Sequence, residues 1–154
     1  MTVPRSSAVP VPRVPLWRRF AAMVYDLLPL LGLWIIGSAL WMLAFHRSDS
    51  PAELAGALRT PADRILRDVW LLAITGAYFV VSWTRVGATI GMRAWKFKLT
   101  REDGGRIGWL LAWKRFILAL VSLVLLGAGF WYAWSSPERR AWHDRMCGTR
   151  AVRF

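Results

Sequence analysis

Apolar and polar positions are segregated into long blocks along this chain. From Phe20 to Phe45, 26 residues run with a single charge, Asp26. At ~1.5 Å rise per residue, such a helix crosses the ~30 Å hydrocarbon core of a bilayer with some tilt. A second block covers Val69–Trp83, extending back to Ile65 if Arg67 snorkels, and a third covers Phe116–Trp134. Trp17, Trp41, Trp70 and Trp83 stand at block edges, where indoles favour the headgroup zone.

The connections carry different signals. Residues 1–15 hold Pro4, Pro10, Pro12 and Pro15 among serines and arginines, and read as a disordered tail. The first apolar run is longer than a secretory h-region, so it reads as an uncleaved span. In 46–68, Pro51 and Pro61 can each start a helical turn. In 84–115, Met92–Leu99 alternates, with Arg93, Trp95, Phe97 and Leu99 on one side, and Glu102-Asp103-Gly104-Gly105 follows as a turn. A short strand is expected there, then an interfacial helix over 107–113. The predicted fold is an all-α membrane protein with three embedded segments, about 20–45, 69–83 and 116–134. A basic cytoplasmic loop with a short strand joins the last two.

Composition agrees with this class. Apolar residues make up 56 % of the 154, and tryptophan occurs 11 times. The net charge of +12 lies beside the apolar blocks. It therefore points to anionic headgroups and topology rather than to nucleic acid. The single cysteine, Cys147, excludes an internal disulfide. Lys and Arg number 4 in residues 1–19, 4 in 46–68, 8 in 84–115 and 5 in 135–154. The positive-inside rule places the N-terminus and 84–115 in the cytoplasm. Three full spans would put the basic tail outside. A last segment made re-entrant at Gly127-Ala128-Gly129 would return it to the cytoplasm. Charge and length leave both arrangements open.

The candidate chemistry begins with Asp26. A charge within a span costs about 2.5–3.5 kcal/mol on insertion scales, so it needs a partner or a use. Arg19 lies two turns earlier on the same face, about 10 Å away along the axis. Arg19, Arg115 and the tail arginines are its candidate partners. Pro29 cannot donate to the Tyr25 carbonyl, which places a spare oxygen beside Asp26. A proton or cation site at Asp26 is the functional alternative to a structural ion pair. In the tail, His143 and Cys147 share a helical face, but one cysteine and two histidines make a poor metal set. The tail is expected to form a helix through Met146, stopped at Gly148, with an extended end. No phosphate loop or nucleophile–base set appears, so neither an enzyme nor a cofactor is expected.

Three stretches, in this order, resemble the RDD family of small bacterial membrane proteins. They are Arg18-Arg19-Phe20-Ala21-Ala22-Met23-Val24-Tyr25-Asp26, then Gly87–Arg93 with Asp103-Gly104-Gly105, then His143-Asp144-Arg145 with Gly148-Thr149. The family's arginine and two aspartates correspond to Arg19, Asp26 and Asp144. The likeness covers 17–153, and Met146-Cys147 departs mildly from the usual pair there. It implies a multi-span inner-membrane protein, with transport of ions or small ligands suggested. If the charges form one constellation, Asp144 must approach Arg19, which favours a cytoplasmic tail.

Two functions follow. The first is a transporter, with cation/proton exchange at Asp26, working through a homo-oligomer because three segments rarely enclose a path. The second is an accessory or scaffold protein, whose charges fix helix packing and whose basic surfaces bind lipid or a larger membrane partner. Arg19, Asp26 and Asp144 are the principal site residues. Tyr25, Pro29, Arg115, His143 and Arg145 support them.

Overall fold

The structure, a computed structural model, describes residues 14–45, 56, 60–124 and 141–153. Helix α1 spans Leu16–Phe45 and continues through Pro29. Helix α2 spans Pro61–Arg85. Thr60 caps it, its side chain accepting from the Asp63 amide, and Pro61 takes the first helical position, where a missing amide hydrogen costs nothing. The two helices run antiparallel. Trp41 Nε1 donates to Asp63 (3.4 Å), Trp70 Nε1 to the Gly37 carbonyl (3.0 Å), Trp34 Nε1 to Thr75 Oγ1 (2.9 Å) and Tyr78 OH to Asp26 (2.8 Å).

Both helices are long and apolar enough to cross a membrane. Only 17 % and 11 % of their most apolar stretches are buried inside the protein, which is far from the environment of a soluble core helix. Leu28 and Ile35 are each 71 % exposed. Close approach depends on missing side chains. A Cβ at Gly37 would stand 2.6 Å from Ile74 Cδ1, and one at Gly76 2.8 Å from Trp113 Cζ3. These two glycines, Gly37 on α1 and Gly76 on α2, mark points of close packing around α2.

A cap covers one end of the hairpin. Helix α3, Ile90–Ala94, follows α2 and packs against α1. Strand β1, Phe97–Arg101, comes next, then helix α4, Trp109–Val124, against α2. After α5, Trp142–Met146, strand β2, Thr149–Arg153, pairs antiparallel with β1, from Phe97↔Arg153 to Arg101↔Thr149. Val14, Phe97, Leu99, Ile107, Ala112 and Ala151 build the cap's core with Val80 and Trp83 of α2.

The strand begins later than the alternation suggests. Met92–Ala94 is helical because Thr89 caps the turn, its hydroxyl accepting from the Met92 amide at 3.2 Å. Lys96, at φ 56°, then reverses the chain into β1, where Phe97 and Leu99 do share a buried face. The turn after β1 closes as expected, with Gly104 at φ 81°. The interfacial helix and the start of the third apolar run are one element, α4. The tail forms a helix and a strand separated by Gly148 at φ 56°. Residues 1–13, most of 46–59 and the Gly127-Ala128-Gly129 break lie outside the described residues.

Candidate functional site

The signature residues converge where the cap meets the hairpin, in two adjoining clusters. The first surrounds Asp26, which is buried on α1. Its Oδ1 accepts from Tyr78 OH (2.8 Å) and from the Gly91 amide (2.8 Å), and its Oδ2 accepts from Thr89 Oγ1 (2.6 Å). These donors come from α2, from the loop and from α3, so one carboxyl fastens three elements. Gly91 is needed for the geometry. A Cβ there would overlap the Ala22 carbonyl oxygen and stand 3.0 Å from Asp26 Cγ.

The second cluster surrounds Asp144 on α5, which is buried. Arg19 Nη1 donates to Oδ2 at 2.8 Å, and Arg115 Nη2 donates to Oδ1 at 2.6 Å. Both arginines are themselves largely buried. The Arg115 guanidinium lies over the Trp83 ring, 4.4 Å from its centroid, so the indole face shares the cation. Burial alone would raise the Asp144 carboxyl, but Arg115 and Arg19 together hold it below the usual carboxylate range. His143 Nε2 is 3.7 Å from Asp144 Oδ1. Burial pushes the imidazole down to about 4, against the pull of Asp144 and helped by Arg115 and Arg19. His143 is therefore neutral at pH 7.

Asp144 does approach Arg19, as a single constellation requires. The partners assigned to Asp26 are corrected. Arg19 and Arg115 both serve Asp144, and Asp26 is held by three uncharged donors instead. Neither Tyr25 nor Pro29 contributes to that cradle. The Tyr25 ring packs edge-on against Trp95, with centroids 5.8 Å apart. Arg145 is exposed on α5. Trp83 is buried beneath Arg115. Cys147 caps α5, its amide donating to the His143 carbonyl at 3.2 Å. Among the described residues, no group of three or more His, Cys, Asp or Glu could hold a metal ion.

The His143 environment predicts acid sensitivity. Between pH 6.5 and about 4 the unfolded chain binds a proton that the folded site refuses, so stability falls as pH drops through that window. The full effect is about 3 kcal/mol. Thermal melts of detergent-solubilised protein should show it, and His143→Gln should flatten that window. An unchanged pH slope in the variant would show that His143 is not the group responsible.

Tyr78, Thr89 and Gly91 escape a search based on charge, because hydroxyls and a backbone amide carry none. The available signal was the match of Thr89 to a helix cap three residues before an amide that needs one. Searches of curated proteins and of solved structures each return no match. The model of the RDD family matches residues 13–148, which includes both clusters. With its apolar hairpin, its paired arginine and its two buried aspartates, this membrane protein belongs to the RDD family.

Proposed function

We propose that the protein is an accessory or scaffold unit of the bacterial inner membrane, whose signature charges lock a cytoplasmic cap onto the membrane helices. The observation that carries this reading is that every oxygen of both buried carboxyls already accepts from a protein donor. A hard cation takes about six to eight oxygen ligands. Here it would meet an amide hydrogen at one carboxyl and two guanidinium groups at the other. A binding and packing role therefore accounts for these residues better than ion exchange or catalysis.

The same reading orients the molecule. Among the described residues, the N-terminal end of α1, loop 84–115 and the tail from Ala141 meet at one end. In the sequence, Lys and Arg number 4 in residues 1–19, 8 in 84–115 and 5 in 135–154, against 4 in 46–68. The positive-inside rule then favours a cytoplasmic N-terminus and tail, facing anionic headgroups.

A second reading, transport through a homo-oligomer, has one observation in its favour. The Tyr78 and Thr89 hydroxyls can each donate or accept, so they would tolerate Asp26 in either protonation state. Purified protein in liposomes loaded with a pH-gradient dye separates the two. The scaffold reading expects no gradient dissipation beyond that of empty vesicles, and a lowered melting temperature for Asp26→Asn. Dissipation by the wild type that Asp26→Asn abolishes, with its melt unchanged, would overturn the scaffold reading and select transport.

A further inference from the structure

We infer that the junction of α1 and α3 is a binding site for the headgroup of an anionic phospholipid, formed by Arg18, Lys96 and the ring cluster of Trp17 and Trp95. This rests on the membrane-surface reading above and gives it a place. Trp95, just past α3, sits edge-on to two rings of α1, with centroids 5.3 Å from Trp17 and 5.8 Å from Tyr25. Trp17 and Tyr25 are about half exposed. Trp17 lies in the first turn of a membrane-spanning helix, at the depth where indoles meet headgroups.

One cation lies on these rings, and two more lie within two residues of Trp95 in the chain. The Arg18 guanidinium lies over Trp17, 5.3 Å from its centroid. Lys96 follows Trp95 and is exposed, as is Arg93 in the last turn of α3. Lys96 adopts a left-handed backbone at φ 56°, the only non-glycine residue to do so among those described. That conformation is strained for a side chain with a Cβ, and such strain clusters at binding sites. Among the described residues, none of these three cations has a carboxylate partner. Asp144 is occupied by Arg19 and Arg115, and Arg101 holds Asp103 at 3.1 Å.

Two donors here also lack acceptors among the described residues. Arg18 Nε and Trp95 Nε1 are both buried and make no hydrogen bond there. A buried donor without an acceptor is costly, and a side-chain shift that brings either to a phosphate oxygen would relieve that cost. Anionic charge, several acceptor oxygens and an attached apolar body match what the surface offers: cations, spare donors, and lipid-exposed rings beside α1.

The test is native mass spectrometry of the full-length protein released from micelles containing phosphatidylglycerol or phosphatidylcholine at equal concentration. The proposal expects retained phosphatidylglycerol and little phosphatidylcholine. Arg18→Gln and Lys96→Asn should each weaken retention roughly fivefold, with the asparagine tolerating the left-handed backbone. Lys114→Gln, which removes an exposed charge elsewhere, should change it little. A melt of each variant confirms folding. Equal weakening by Lys114→Gln, or no weakening by either site variant, would overturn this site and leave general lipid attraction standing. No preference for phosphatidylglycerol in the wild type would overturn both. Inorganic phosphate at matched concentration should not displace the lipid, and displacement would reassign the site to a free anion.

Discussion

Asp144→Asn is expected to destabilise the protein by about 3–5 kcal/mol, because it leaves two buried guanidinium groups without a counter-charge. Arg115 and Arg19 approach opposite oxygens of this carboxyl, from α4 and α1, while α5 carries the aspartate. An amide keeps the shape but presents only one acceptor, and its NH2 would face a guanidinium donor. The measurement is the melting temperature in detergent together with abundance in the membrane fraction. Coupling is part of the expectation. Once Asp144 is an asparagine, Arg19→Gln should cost less than it does in the wild type, since the two changes remove one interaction. Simple additivity of the two costs would show that Arg19 and Asp144 do not share a stabilising contact.

The sequence exposes the parts of this fold that depend on long-range hydrophobic pattern. The apolar block from Phe20 and the one ending at Trp83 became α1 and α2, and their lipid-facing surface follows from having no polar face. The tail was legible because Gly148 interrupts it, and the convergence of Asp144 with Arg19 followed from family resemblance. What stayed hidden depends on partners far apart in the chain. Charge is the strongest complement to charge, so the sequence points Asp26 towards arginines. The folded chain instead gives it Tyr78, Thr89 and Gly91, 52 to 65 residues away. Once three neutral donors satisfy the carboxyl, both arginines are free to hold the tail. Trp83 shows the same limit. Its place at the edge of an apolar run is legible, but its contact with Arg115, 32 residues on, is not.

The two clusters also divide the work of assembly. Asp144 joins the tail to α1 and α4 by charge, and it can be tested by removing charge. Asp26 joins α1, α2 and α3 by geometry, and the tightest dimension of that joint is the space at Gly91. Gly91→Ala is therefore expected to cost about 3 kcal/mol although it adds a single methyl group. Its Cβ would overlap the Ala22 carbonyl oxygen, which is helix backbone and cannot rotate aside. To relieve the overlap α3 must lift from α1, which stretches the 2.8 Å bond from the Gly91 amide to Asp26 and withdraws Thr89 as well. Gly76→Ala is the contrasting case. Its Cβ meets the ring edges of Trp113 and Phe116, side-chain atoms that can shift, so a cost of about 1 kcal/mol is expected. Melts of the two variants beside the wild type check the order. A Gly91→Ala protein as stable as Gly76→Ala would mean that α3 does not seat on α1 at this distance, and that Asp26 does not hold the cap through the Gly91 amide.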